Sequence, residues 1–132
     1  MAARTKRRMV MTILDSNTII YLSKKLISLD NVFVDDEEYA ISVITYMEVL
    51  GYAFTSKEEE DFIKELLSYL EIIYIDENIA KKVINIKQTN KVKLPDAIIA
   101  ATAILNNATL ITNDIRLKVI ADLKIMIIGM EC

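Results

Sequence analysis

The sequence predicts an α/β three-layer sandwich, in which helices cover both faces of a mainly parallel sheet. Short apolar segments alternate along the chain with longer segments that repeat apolar residues at helical spacing, which is typical of parallel α/β domains. The chain has 132 residues, of which 53% are apolar, with only 2 Gly and 1 Pro. It therefore has the size of one domain with a real core, and it lacks the turn residues of an all-β sandwich.

The first half of the chain is predicted to contain three strands and four helices. A short apolar run that is closed by Asp15-Ser16-Asn17 is the first strand, and Asp15 or Ser16 can cap the helix behind it. The second of the two helices between the second and third strands carries an amphipathic stripe. In chain order the segments are the strand 10–14, the helix 19–27, the loop 31–38, the strand 39–43, the helices 45–54 and 57–70, the strand 71–75 and the helix 77–88.

The second half repeats the alternation. Pro95 stands where the first turn of a helix tolerates it, and the Ala-rich segment behind it can pack closely on a sheet. Because no linker divides the predicted elements, we expect one domain at 10–132 behind a basic N-terminal extension at 1–9. The segments of this half are the loop 89–94, the helix 96–106, the strand 109–112, the helix 114–121 and the strand 124–128.

The scarcity of His and Cys limits the kinds of catalysis and metal site that the chain can support. The chain has no His, and its only Cys is Cys132. This excludes imidazole acid–base catalysis, His-containing zinc sites and an internal disulfide. Catalysis must then use carboxylates, hydroxyls, amines or a metal ion held by oxygen, and hard cations are the metals that oxygen ligands prefer.

The charge is distributed unevenly. The basic extension, or leader, contains Arg4, Lys6, Arg7 and Arg8. Without these four residues the chain has 12 basic against 19 acidic residues, a net charge of −7. We do not expect so acidic a body to attract nucleic acid by bulk charge. The longest run of apolar residues and Thr has nine residues, about half of a membrane span, and no secretory signal is visible, so we expect a cytoplasmic protein.

Four acidic residues lie at boundaries between predicted elements. Asp15 follows the first strand, and Glu48 lies in the first turn after the second strand. Asp96 opens the Ala-rich helix, and Asp114 follows the strand 109–112. In an open parallel sheet, ligands bind beyond the carboxyl ends of the strands. We therefore expect several of these acids to converge on one cleft, where a divalent cation would offset their repulsion.

Each of the four acids also has a purely structural interpretation. Asp15 can cap the helix that follows it. Thr45 and Glu48 have the spacing of a capping box. Asp96 and Asp114 can complement the dipoles of their own helices. Taken singly, each acid is better explained by these roles than by a metal site.

Four segments together resemble the PIN domain. They are Ile13-Leu14-Asp15-Ser16-Asn17, Thr45-x-x-Glu48, Leu94-Pro95-Asp96-Ala97-x-x-Ala100-Ala101-Thr102-Ala103 and Thr112-Asn113-Asp114. From about residue 10 to residue 128 the chain looks like the VapC toxins of prokaryotic VapBC toxin–antitoxin modules. It departs from the family at Ser16, where Thr is frequent, and the basic leader has no counterpart.

The resemblance implies a fold and an activity. It implies a five-stranded parallel sheet of order 3-2-1-4-5, which brings Asp15 and Asp114 to the point where the strand order reverses. It also implies an endoribonuclease that depends on Mg²⁺ or Mn²⁺, in which the metal activates a water for attack on the phosphodiester. The products implied are a 5′-phosphate and a 3′-hydroxyl.

On this basis the four acids are the expected catalytic and metal-binding residues. Asp15 and Asp96 are the expected principal ligands, and Glu48 and Asp114 bind directly or through water. Arg116, with Lys118 near it, is a candidate for holding the substrate. The polar neighbours expected to orient carboxylates or waters are Ser16, Asn17, Thr45, Thr112 and Asn113.

The expected partners are an RNA substrate, a cognate VapB-like antitoxin and a second copy of the chain. The antitoxin of such modules usually carries the DNA-binding part, so we expect no binding to operator DNA by this chain alone. The stripe in the helix 57–70 is either core or a face for a partner. Its residues are Phe62, Ile63, Leu66, Leu67 and Leu70.

Two other functions stay open. A phosphoaspartyl protein of the receiver or haloacid-dehalogenase type, with Asp15 as nucleophile, also needs a carboxylate at the end of the first strand. Haloacid-dehalogenase relatives would have a second Asp where Asn17 stands. The third hypothesis is a non-catalytic interaction module that keeps the same fold.

Overall fold

The structure is a computed structural model that describes residues 10–34 and 37–129. The predicted extension at 1–9 and Cys132 lie outside the described residues. The strands are β1 (Val10–Leu14), β2 (Glu37–Ser42), β3 (Glu71–Ile73), β4 (Thr109–Thr112) and β5 (Lys124–Ile127). The helices are α1 (Ser16–Ser23), α2 (Leu29–Val32), α3 (Val43–Leu50), α4 (Lys57–Ser68), α5 (Glu77–Thr89) and α6 (Leu94–Leu105), and a 3₁₀-helix spans Ile115–Val119.

The described strands form one parallel sheet in the order β3-β2-β1-β4-β5. This confirms the predicted fold class and strand order. In the centre, Ile13 of β1 is in register with Ala40 of β2 and Leu110 of β4. From β1 the chain continues through β2 to β3 at one edge of the sheet, and from β4 it continues to β5 at the other edge. The strand order therefore reverses between β1 and β4, which is where a ligand is expected in such sheets.

Two buried clusters lie on opposite faces of the sheet. Ile13 and Leu110 pack with α5 and α6 in one cluster, and Leu14 and Ile111 pack with α1, α3 and α4 in the other. Successive strand residues point to opposite faces, so neighbouring positions supply different clusters. Seven successive residues of α6, from Ala97 to Ala103, are buried. The alanines among them let this helix approach the sheet closely.

Two elements differ from the prediction. The short helix α2 overlaps the start of the loop predicted at 31–38. Ser28 caps this helix, because its Oγ accepts a hydrogen bond from Asp30 N at 3.2 Å. The predicted helix at 114–121 is instead the shorter 3₁₀-helix, and Asp114 caps it by accepting from Arg116 N at 3.0 Å. This cap accepts from the backbone N–H only two residues further along the chain, which suits the tighter turn of a 3₁₀-helix.

The apolar stripe of α4 contributes mainly to the core. Ile63, Leu67 and Leu70 are buried, and Phe62 and Leu66 are half-buried against the same cluster. Ile84 of α5 is 57% exposed. Within the described ranges no helix combines the length and the apolar character that crossing a bilayer requires.

Candidate metal centre

Asp15 lies directly behind β1 and is the N-cap of α1, as predicted. Its backbone N–H donates to Ile111 O of β4 at 3.3 Å, which joins it to the neighbouring strand end. Its Oδ1 accepts from Thr18 N at 2.8 Å, and its Oδ2 accepts from Thr112 Oγ1 at 2.5 Å. Burial raises the pKa of the Asp15 carboxyl, and the charge of Asp114 adds to this, although the hydrogen bonds from Thr112 and Thr18 oppose it.

Glu48 reaches the same region from the second turn of α3. The predicted capping box at Thr45 and Glu48 is wrong, because α3 begins at Val43 and its cap is the side chain of Ser42. Glu48 is therefore also not in the first turn. Its Oε1 accepts a hydrogen bond from Ser16 Oγ at 2.5 Å, which links α3 to the start of α1. This contact, between residues far apart in the chain, places Ser16 where it orients a carboxylate.

Asp96 lies in the first turn of α6 and is half-buried. Burial is the main cause that raises its pKa, and the charges of Asp114, Asp15 and Glu48 raise it further, while Arg116 lowers it. The other three predicted acids are thus close enough to Asp96 to affect its pKa. The structure brings them to one end of the sheet, as predicted.

Asp114 differs from the other three acids because it has a basic partner. Its Oδ1 accepts from Arg116 Nε at 2.8 Å and its Oδ2 accepts from Arg116 Nη2 at 2.7 Å. Its backbone N–H donates to Thr112 Oγ1 at 3.1 Å. The pKa of the Asp114 carboxyl is lowered, first by the hydrogen bonds of Arg116. Thr112 thereby contacts both Asp15 and Asp114.

Three of the acids line a common cavity of about 310 Å³, which we call the acidic cavity. Asp15, Glu48 and Asp96 contribute carboxylates, and Ser16 and Asn17 add further polar groups. No described basic side chain lines it. The remaining lining residues are Ile20, Val49, Tyr52 and Ile99.

The residues fit a hard divalent cation. In the part of the chain that the structure describes, no three acidic side chains are spaced to hold one ion by themselves. Mg²⁺, however, usually keeps several waters and is bound through one or two carboxylates. Carboxylate oxygens in a cavity that no described basic side chain lines are the donors and the electrostatic environment that such an ion prefers.

The other predicted residues are placed less distinctively. Thr45 is fully buried, and its hydroxyl has no hydrogen-bond partner among the described residues. Asn17 is exposed at the acidic cavity, and Asn113 is half-buried. Sequence reasoning missed Tyr52, which lines the acidic cavity directly after the C-cap of α3, Gly51. An aromatic residue just beyond a helix-ending glycine was the available signal.

Comparisons with known proteins agree with this fold. The model of the PIN domain matches residues 12–123. No curated protein sequence matches the chain. The chain is similar to a chain of a toxin–antitoxin complex from Klebsiella pneumoniae, at 35% identity and a TM-score of 0.65 over 80% of this chain and 88% of that one.

Two VapBC structures are also similar. A chain of VapBC-1 from nontypeable Haemophilus influenzae is 28% identical with a TM-score of 0.72, over 89% of this chain and 98% of that one. A chain of VapBC2 from Rickettsia felis, bound to a DNA fragment from its promoter, is 23% identical with a TM-score of 0.79, over 91% of this chain and 100% of that one. At that identity the likeness shows the fold alone. Since the family model covers most of its length, the chain belongs to the PIN domain family.

Proposed function

We propose that this protein is an endoribonuclease that depends on Mg²⁺ or Mn²⁺. The observation that carries the proposal is the acidic cavity, in which Asp15, Glu48 and Asp96 meet at the reversal of strand order without a described basic side chain. Within the PIN domain family, such a set of oxygen donors supports phosphodiester chemistry. The missing His makes a metal ion the natural source of an activated water.

Asp15 and Asp96 are proposed as the principal metal ligands, with Glu48 and Asp114 binding directly or through water. When bound, the ion would lower the pKa of a water and offset the negative charge of the attacked phosphate. Binding through carboxylate oxygens also allows an acidic protein to bring a phosphodiester close, because the cation lies between the two groups of negative charge.

The protein's own contribution is to hold these carboxylates in place. Thr18 N and Thr112 Oγ1 each occupy one oxygen of Asp15, which orients the carboxylate toward the acidic cavity. Ser16 does the same for Glu48. Partners of this kind typically change metal affinity or activity by about 10–100-fold when they are removed. Asn17, Thr45 and Asn113 are weaker candidates for the same role.

The proposed biological role is that of the toxin in a toxin–antitoxin module. The similar chains from Klebsiella pneumoniae and Haemophilus influenzae come from a toxin–antitoxin complex and from VapBC-1, and both are at least 28% identical. We therefore propose a VapB-like antitoxin as partner, a homodimer as assembly and the cytoplasm as location. Binding to operator DNA is assigned to the antitoxin and not to this chain.

The test is RNA cleavage by the purified protein. Total cellular RNA is incubated with the parent and with Asp96→Asn, each in Mn²⁺, Mg²⁺ or EDTA. We expect fragments only for the parent with a divalent cation. Asp61→Asn is the matched control, because Asp61 is exposed on α4 and pairs only with Lys57 at 3.2 Å among the described residues. Cleavage that persists in EDTA or in folded Asp96→Asn would contradict the proposal.

A parallel incubation of the parent with a small phosphodonor separates the alternatives. An acyl phosphate on Asp15, formed from a small phosphodonor without RNA cleavage, would support a phosphoaspartyl protein. The strand order 3-2-1-4-5 differs from the 2-1-3-4-5 order of receiver domains, which weighs against that half of the alternative. If neither RNA fragments nor an acyl phosphate form, the non-catalytic interaction module is the remaining hypothesis.

A further inference from the structure

A second cavity adjoins the acidic cavity and has the opposite character. It has a volume of about 430 Å³, and Asp96 lines both cavities. Asp114 lies on this second side. Four basic side chains line it, and we call it the cationic cavity. They are Lys87, Lys91, Lys93 and Arg116.

The four basic side chains come from separate parts of the fold. Lys87 lies in the last turn of α5, Lys91 and Lys93 lie in the loop that joins α5 to α6, and Arg116 lies on the 3₁₀-helix. Lys87 Nζ donates to Val92 O at 2.7 Å, which holds this loop against α5. Two distant segments thus present positive charge to one cavity.

Two of these basic residues are already engaged. Arg116 binds both oxygens of Asp114, and Lys87 holds the loop. Lys91 and Lys93 are exposed, and neither forms an ion pair with any residue that the structure describes. They are therefore available to an external anion.

The clustering is unusual for so acidic a chain. Beyond the basic leader the chain has 12 basic residues against 19 acidic ones, and four of those 12 line this one cavity. Salt screens the overall negative charge beyond about 8–10 Å, whereas contacts made within the cavity are screened much less. Local positive charge can thus bind an anion that the whole protein does not attract.

We propose that the cationic cavity binds a backbone phosphate of single-stranded RNA, next to the phosphate that lies at the acidic cavity. Lys91 and Lys93 contact the phosphate, while Lys87 and Arg116 position the loop and Asp114. The inference rests on the proposed function for its substrate class. Contacts to phosphate set the position of a nucleic acid without reading its sequence. The cavity therefore contributes affinity and alignment and leaves the choice of RNA to other surfaces.

The test measures RNA binding without cleavage. A fluorescein-labelled single-stranded RNA oligonucleotide of mixed sequence is titrated in EDTA with the parent and with the double variant Lys91→Ala/Lys93→Ala. Anisotropy at several salt concentrations gives Kd and its salt dependence. In EDTA no divalent ion bridges carboxylate and phosphate, so the contribution of the lysines is observed alone.

We expect the double variant to bind roughly tenfold more weakly near 0.15 M salt, and the slope of log K against log salt to fall in magnitude by about 0.7, the contribution of one phosphate of a single strand. The matched control is Lys81→Ala/Lys82→Ala, two lysines of α5 that line a different cavity. It should keep the parent's Kd and slope. A purely structural role for Lys91 and Lys93 would not change the slope, and Lys91→Arg/Lys93→Arg should restore it.

A slope and Kd equal to those of the parent, in a double variant with the parent's Tm, would overturn the inference. That result is distinguishable from failure of the proposed function. If the parent cleaves RNA in Mn²⁺ while the slope is unchanged, the nuclease proposal stands and the cationic cavity does not bind RNA. If no RNA is cleaved but the slope falls, RNA binding stands and the nuclease proposal fails.

Discussion

Asp15 and Glu59 are buried to the same extent but have opposite electrostatic surroundings. Each is 8% exposed. Glu59 accepts hydrogen bonds from Thr55 N at 2.9 Å and from Lys24 Nζ at 3.0 Å. Those contacts lower the pKa of its carboxyl to about 2. Asp15 accepts two hydrogen bonds from uncharged groups and lies near other acids, and burial raises its pKa.

The difference separates a structural carboxylate from a functional one. The ion pair of Glu59 with Lys24 joins the end of α1 to the start of α4, so that the buried charge is neutralised inside the protein. Asp15 has no such neutralisation from a described basic residue that lines its cavity. A buried charge without a partner is costly, and a bound cation removes that cost. The predictions below test this contrast.

The largest expected effect is on cleavage. Asp15→Asn should lower the rate of RNA cleavage in Mn²⁺ by more than about 100-fold, since even residues that only orient metal ligands contribute about 10–100-fold. Glu59→Gln should cleave at close to the parent rate. Initial rates on labelled RNA provide the measurement, with circular dichroism to show that each variant is folded. Equal losses in the two variants would remove the distinction between these carboxylates.

The next effect is on stability in the presence of metal. At 100 times its Kd, a divalent ion should stabilise the parent by about 2.7 kcal/mol. Calorimetry in MnCl₂ and in EDTA should show this gain for the parent and for Glu59→Gln, and not for Asp15→Asn. In EDTA alone, Asp15→Asn should melt no lower than the parent, because the substitution removes a repulsive charge. A full metal-induced gain in Asp15→Asn would place the ion elsewhere.

The pH dependence of unfolding should separate the two carboxylates further. The pKa of Glu59 is about 2 in the folded protein against an ordinary value of 4.5. Its stabilisation is therefore fully present above about pH 4.5 and is lost as the pH falls toward about 2. In Tm measurements over this range, Glu59→Gln should lose less stability than the parent while starting from a lower Tm. Parallel curves for the two proteins would contradict the assignment.

The smallest expected effect concerns the hydroxyl that supports Asp15. Thr112→Val removes the bond from Thr112 Oγ1 to Asp15 Oδ2 and the bond that Oγ1 accepts from Asp114 N, and should cost about 1–2 kcal/mol of stability. It should also weaken the response of Tm to Mn²⁺. Thr102→Val is the matched control, because Thr102 is equally buried and its hydroxyl donates to Ile98 O within its own helix. If both variants respond equally to Mn²⁺, then Thr112 does not orient a ligand.

The order of elements was predictable because it depends on local patterns. Alternation of short apolar runs with helical periodicity identified all five strands, and the strand 109–112 agrees in both bounds with β4. The same reasoning identified Asp15, Asp96 and Asp114 as acids at element boundaries, whereas Glu48 lies in the second turn of α3. Some element starts shifted, as at α3, which Ser42 caps, and at the 3₁₀-helix, which Asp114 caps, whereas α4 and α5 begin at the predicted residues 57 and 77.

The amino-acid sequence by itself determined the fold class, the strand order through family resemblance and which acids stand at the strand ends. Only the tertiary structure decided which of them have partners. Asp15 and Thr112 are 97 positions apart, and Ser16 and Glu48 are 32 apart. The ion pair that neutralises Glu59 and the basic side chains that share a cavity with Asp96 likewise appear only in the folded chain. The physical reason is that charge is neutralised by neighbours in space, and sequence periodicity reports only on neighbours along the chain.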